Sequence, residues 1–206
     1  MAGTKCIVSD AHKGLKCAIA SMFPEALWQR CTVHLMRYIR DRINKKEGKE
    51  LAMQLLSQTF QHTNPASVRE SYHQTINFLE EISPSTARLL AEAENDALAY
   101  LQFPEDHYKG LRTNNIQERD NLEIKRRTKV ISAFPSTESM LKLAGAVMMD
   151  EHEKWAMVRN INQASMSQLL NGTYTVDETV PINLSTLIAE EIMLIKQTLE
   201  LKRKVS

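Results

Sequence analysis

Four residues have the types and settings from which chemistry could be built: Asp10, Cys31, His34 and Glu118. Glu118 stands in the stretch LRTNNIQERDNLEIKRRTKV, residues 111–130, flanked by Asn114, Asn115 and Asn121. Six basic residues there (Arg112, Arg119, Lys125, Arg126, Arg127 and Lys129) outnumber three acids (Glu118, Asp120 and Glu123). The stretch is near +3 in a chain whose formal charge is only +1. The simpler reading is a solvated, capped helix. Asn114 or Asn115 is then the N-cap, Glu118 lies in the first turn where the helix dipole favours a carboxylate, and Glu123 pairs with Arg127 at i,i+4. Asp10 follows the short apolar run KCIVS and is open to two roles, a helix cap or a functional group at a strand end. Cys31 and His34 form a Cys-x-x-His pair, half of a zinc site. A closed structural zinc needs four ligands, and no second pair follows at suitable spacing. Packing is therefore the favoured role, since a free Cys behaves as a small buried hydrophobe.

The elements that must position these groups are legible in outline. Residues 5–9 read as a buried strand, DAHKG as a turn, and residues 15–23 as a helix with Leu15, Ala18, Ile19 and Met22 on one face, closed by Pro24. Residues 27–33, LWQRCTV, read as a second strand. This β–α–β unit implies neighbouring parallel strands with a right-handed crossover, and in such sheets functional groups gather at the carboxyl ends of strands. Helical spacing then runs through residues 35–44, 51–60, a face marked by Val68, Tyr72, Ile76 and Leu79, and another marked by Leu89, Leu90, Ala93, Ala97, Leu98 and Leu101. These predict a helical block inserted before the Glu118 helix. Residues 138–153 predict a further helix with Met140, Leu141, Ala144, Val147 and Met148 inward, and residues 185–202 a closing one with Leu187, Ile188, Ile192, Ile195 and Leu199 on one side. Residues 160–181 are polar and carry few signals.

Composition narrows the class. With 43% hydrophobic and 25% charged residues, the 206-residue chain has the make-up of an ordinary globular protein. Three cysteines give no even disulfide framework, and no run of 18 apolar residues could span a membrane. The near-zero net charge conceals segregation. Residues 30–46 carry six basic groups and one acid, whereas residues 80–106 carry seven acids and one base. Two uses are open: a basic surface for an anionic polymer, or docking of the two segments on each other.

Taken in order, SDAHKGLKCAIASMFPEALWQRCTVHLMR, a helical insert, and LRTNNIQERDNLEIKRRTKVISAFPSTESMLKLAGAVMMDEHEKW resemble the mutator-type family of bacterial insertion-sequence transposases, over residues 5–155. The resemblance rests on the Asp-Ala-His-x-Gly-Leu turn, the Phe-Pro and Trp-Gln-Arg-Cys-x-x-His blocks, and the Arg-Thr-x-Asn-x-x-Glu-Arg helix with its Arg-Arg-Thr-x-Val tail. It implies an α/β, helix-dominated fold: a partial ribonuclease-H-like core, β-α-β plus helices, with an all-helical insertion. Residues 1–44 correspond to the second part of that core, 45–110 to the insertion, 111–160 to core helices carrying Glu118, and 161–206 to a C-terminal polar segment and helix.

Carried over residue by residue, the resemblance makes Asp10 the second Asp and Glu118 the Glu of an Asp-Asp-Glu triad holding Mg²⁺. Cys31 and His34 match the family's Cys-x-x-His motif. Transposition hydrolyses a phosphodiester and then joins the freed 3′-hydroxyl to another strand; two Mg²⁺ ions about 3.5–4 Å apart serve both steps. Arg112, Arg119, Lys125, Arg126 and Arg127 become candidate DNA contacts. The implied partners are DNA, as insertion-sequence ends and target, and another copy of the chain or a full-length transposase. No membrane is implied; the setting is the bacterial cytoplasm, at the nucleoid. The family's first Asp is expected upstream of Met1, so little or no strand transfer is expected from this chain alone. The alternative is a non-catalytic helical module that binds DNA or associates with a transposase. Asn114 stands where a second Thr is usual, and polar Gln117 and Asp120 where apolar residues are usual. Asp10 and Glu118 are expected to converge on one cleft.

Overall fold

The computed structural model describes residues 3–157 and 162–205. Strand β1 (Cys6–Ser9), helix α1 (Lys13–Met22) and strand β2 (Leu27–Arg30) form the expected β–α–β unit. The strands are parallel, with Cys6 opposite Leu27 and Ser9 opposite Arg30, and make a two-stranded sheet. Strand β2 is shorter than its sequence suggests. Cys31 becomes the N-cap of α2 (Thr32–Arg40) instead of continuing the strand. The apolar and β-branched run Cys-Thr-Val fits either state by propensity, and a tertiary anchor on Thr32 described below decides for helix.

Helices α3 (Lys46–Thr59), α4 (Pro65–Ile82) and α5 (Pro84–Ala97) follow, packed α3 on α4 and α4 on α5, with α2 against α3 and α5. Asn64 caps α4 by accepting from the Ser67 N–H at 3.1 Å, and Pro65 fills its first turn. The core of the molecule lies here. Leu35, Ile39, Leu56, Val68, Tyr72, Leu79, Leu90 and Leu101 belong to one cluster and are essentially inaccessible. Each such side chain contributes about 2 kcal/mol of burial. The basic and acidic segments do meet, α2 on α5, but through this apolar cluster; no ion pair joins the two helices among the described residues.

Two 3₁₀ turns (Ala99–Gln102 and Glu105–His107) and α6 (Tyr108–Leu111) lead to α7 (Asn115–Lys129), which packs against α8 (Thr137–Met157). Residues 160–181, unassigned from sequence, contain α9 (Gln163–Leu170); the expected boundary at 160/161 falls outside the described residues. Helix α10 (Leu184–Val205) lies on α3 and α4 and buries Ile188 and Leu199, with His62 Nε2 at 3.1 Å from Glu191 Oε2. Leu187, expected inward, is exposed.

Two other expected inner faces are bare. On α1 only Ile19 is buried, while Leu15 and Met22 are 41% and 72% exposed. On α8 only Val147 is buried among the described side chains, and Met140, Leu141 and Met148 face solvent. Periodicity marks an apolar face correctly in both helices, but a two-stranded sheet and a two-helix pair offer too little surface to cover it.

One side chain fastens the sheet to the bundle. Gln29 in β2 is fully buried. Its amide N–H groups donate to the carbonyls of Arg30 at 2.6 Å and Ala97 at 2.9 Å, and its Oε1 accepts the Tyr100 N–H at 2.7 Å. Gln29→Leu keeps the volume but leaves the Ala97 carbonyl and the Tyr100 N–H buried without this partner. It is expected to destabilise the fold by about 3 kcal/mol, read as a lower urea midpoint with an unchanged slope. A loss below about 1 kcal/mol would remove Gln29 from this role.

Candidate active site

Two of the residues singled out from sequence, Asp10 and Cys31, follow the carboxyl ends of the two strands. Since Ser9 is in register with Arg30, Asp10 and Cys31 leave the two strands at the same level. The Cys31 N–H donates to the Ser9 carbonyl at 2.8 Å. The Trp28 indole N–H donates to Ser9 Oγ at 2.8 Å, and the Ser9 hydroxyl donates to the Asp10 carbonyl at 2.9 Å. The backbone at Asp10 is thereby fixed, while its half-buried carboxylate has no hydrogen bond or ion pair among the described residues. Asp10 does not cap α1; His12 holds the N-cap position.

Glu118 is brought to the start of α2 by contacts of its own. The Arg112 carbonyl accepts two hydrogen bonds from Thr32, one from its N–H at 2.9 Å and one from Oγ1 at 3.1 Å. This carbonyl ties the start of α2 to the turn that opens α7. Glu118 then lies in the first turn of α7, where the dipole favours its negative charge. His34, in the first turn of α2, places Nε2 3.4 Å from Glu118 Oε1. That is ion-pair range when the imidazole is protonated, but it is not directed as a hydrogen bond, and Glu118 Oε1 is shielded from solvent with no hydrogen-bond partner. Cys31 is completely buried, so the two members of the Cys-x-x-His motif serve different ends, one in the interior and one at Glu118.

Asn114 occupies the N-cap of α7 as expected from sequence, yet its side chain makes no capping hydrogen bond. Its Oδ1 is shielded and unpartnered, as is His34 Nδ1. Among the described residues no three His, Cys, Asp or Glu side chains group closely enough to hold a metal between them. Hydrated Mg²⁺ needs fewer protein ligands: one or two carboxylates, with water and phosphate completing its shell. Carboxylate oxygens such as those of Asp10 and Glu118 are of the ligand type that Mg²⁺ takes and are not the ligand set of a closed zinc site.

The basic residues divide by what already holds them. The Arg112 guanidinium lies 5.9 Å from the ring centroid of Tyr100, which also meets Tyr108 edge-on at 4.8 Å. Arg126 and Arg127 both grip Glu123, at 2.7 and 2.8 Å. Arg119 and Lys125 are exposed, and their side chains have no ion pair or hydrogen bond among the described residues. Sequence reasoning missed Gln29 and Thr32, although both lie in or beside the Trp-Gln-Arg-Cys-x-x-His block that carried the resemblance.

The β–α–β unit thus carries one carboxylate after its first strand, the basic helix α7 carries the second, and the helical block lies between them in the chain. The chain belongs to the Mutator family of transposases, whose family model matches residues 1–158. It is 34% identical over 155 residues to the transposase for insertion sequence element IS1081 of Mycobacterium tuberculosis, covering 75% of this chain and 37% of that relative. It is 37% identical over 155 residues to the transposase for IS256 in transposon Tn4001 of Staphylococcus aureus, covering 74% and 39%. A third relative, the transposase for ISRM5 of Rhizobium meliloti, is 34% identical over 153 residues, covering 74% and 38%. The chain thus spans under two-fifths of the length of the curated relatives it matches.

The Glu123 cluster yields a titration with a definite sign. Hydrogen bonds from Arg126 and then Arg127 hold the Glu123 carboxyl down from 4.5 to about 2. A folded-state value depressed in this way means that the stabilisation is complete above 4.5 and fades as pH falls towards 2. Carbon-detected NMR at low salt should give Glu123 a midpoint near 2, and the Arg126→Gln/Arg127→Gln double variant should return it to the ordinary range. An ordinary midpoint in the unmodified chain would show both arginines to be free.

Proposed function

We propose that this region carries two of the carboxylates with which an insertion-sequence transposase cleaves and joins DNA. One observation supports this most: a shielded, unpartnered Glu118 oxygen, brought by the Arg112–Thr32 tie and His34 to the strand end that Asp10 follows. Asp10 and Glu118 hold Mg²⁺ in this reading. The ion, when bound with water and phosphate oxygens, neutralises charge and activates the attacking oxygen. The protein's own part is to hold both carboxylates in position and to grip the DNA backbone. Arg119 and Lys125 make that grip directly. Arg126 and Arg127 exchange Glu123 for phosphate, and Arg112 steadies the turn ahead of Glu118. In the same reading β1, α1 and β2 belong to a ribonuclease-H-like sheet, with α3 to α5 as its helical insertion.

Two carboxylates are one fewer than the triad, so the 206-residue chain by itself is expected to give little or no strand transfer. Labelled duplex DNA incubated with the pure chain and Mg²⁺ tests this. Robust Mg²⁺-dependent product that vanishes in Glu118→Gln would mean that the site is complete in this chain. The bare faces of α1 and α8 favour a second reading beside the first: these surfaces are covered by further transposase polypeptide.

DNA binding is expected whatever the catalytic outcome, and to weaken as salt rises. In fluorescence anisotropy, Arg119→Gln/Lys125→Gln should lower affinity similarly for unrelated sequences. It should also reduce the slope of log K against log salt by about 2, one for each phosphate no longer neutralised. Salt-independent binding, or an unchanged slope, would remove these two residues from the interface.

A further inference from the structure

We propose that His34 is a positioning residue for Glu118, holding the carboxylate from α2 so that its free oxygen meets a hydrated divalent cation. The proposal rests on the metal reading of Glu118 given above. The approach is close, 3.4 Å from Nε2 to Oε1, and both side chains are about two-thirds covered, at 34% and 33% exposure. The backbone behind His34 is anchored on three sides. The Cys31 N–H is held by the Ser9 carbonyl, Thr32 by the Arg112 carbonyl, and Leu35 is locked in the bundle core. An imidazole on such a base can fix its partner, whereas Glu118 sits on a helix with no buried residue of its own.

The unmet hydrogen-bonding demand around Glu118 points to what the carboxylate is held for. Glu118 Oε1, Asn114 Oδ1 and His34 Nδ1 are all shielded from solvent and without hydrogen bonds. Asn114 lies one helical turn before Glu118, and its carbonyl accepts the Glu118 N–H at 3.0 Å. In the tautomer that carries its proton on Nε2, the nitrogen nearer Glu118, His34 Nδ1 is an acceptor, and all three atoms are then acceptors. A cation surrounded by water offers only donors and positive charge. The Cys-x-x-His spacing then has a use that needs no zinc: Cys31 buries the start of α2, and His34, in the next turn, steers Glu118.

Mn²⁺, followed by electron paramagnetic resonance on the intact chain, stands in for Mg²⁺. Glu118→Gln is expected to weaken Mn²⁺ binding. His34→Ala is expected to weaken it about tenfold, as removal of a ligand-orienting group does. His34→Gln, whose amide N–H can replace Nε2–H, should restore most of that affinity. The His34→Ala/Glu118→Gln double variant should bind no more weakly than Glu118→Gln alone, because His34 acts only through Glu118. Far-UV circular dichroism checks each fold; if His34→Ala does not fold, His34→Asn, too short to reach Glu118, takes its place. Unchanged binding in the truncated variant, additive effects, or no rescue by glutamine each overturn the positioning role, while an effect of Glu118→Gln leaves the metal reading standing. No Mn²⁺ binding by the unmodified chain, or undiminished binding in Glu118→Gln, overturns both.

Discussion

The side-chain amide of Gln29 joins two parts of this protein that could not support each other otherwise. A two-stranded parallel sheet is too small to be stable in water by itself. The helical bundle has an apolar cluster of its own, to which neither strand contributes a buried residue. Gln29 sits between them, fully buried, with both its donors and its acceptor engaged. In a dry environment three satisfied hydrogen bonds are strong, and leaving their backbone partners empty is costly. The bundle's rigidity therefore passes into β2 and on to the strand end where Asp10 and Cys31 emerge.

The other half of the site is held differently. Helix α7 buries none of its residues, and among the described side chains of its partner α8 only Val147 is buried. Packing cannot define the position of a side chain on such a helix to within a fraction of an ångström. Polar contacts do it instead: the doubly used Arg112 carbonyl at the entry to α7, and His34 across from Glu118. Stability is thus graded across the molecule, highest in α2 to α5 and lowest in the α7–α8 pair. The DNA-binding role proposed for α7 suits the low end, since binding would exchange internal ion pairs such as those at Glu123 for external ones.

Much of this was legible in the sequence where the signal is local. The β–α–β unit, the succession of helices and the start of the Glu118 helix at Asn114–Asn115 all follow from short-range periodicity and capping. The errors share a cause. Cys31, Thr32 and Val33 look like strand because propensity cannot register that a carbonyl 80 residues away is waiting for Thr32. Leu15 and Met22 look inward because periodicity identifies a face and not what covers it. Gln29 looks like an outward-facing polar residue on a strand, and nothing nearby reveals that Ala97 and Tyr100 claim its amide. The proximity of His34 to Glu118 has no local signature at all; only the ordered motifs of a family placed both residues at one site.

The span between Thr32 and Arg112 also orders events in time. The tie between them closes a loop of 80 residues, and that loop is the bundle itself. As a flexible chain it would resist closure; folded, it delivers Arg112 to Thr32 with little entropy left to lose. The tie is therefore expected to close only after α2 to α5 have packed. A chain whose bundle is incomplete would lack the contact that sets the start of α7 against α2, so the position of Glu118 depends on most of the protein having folded.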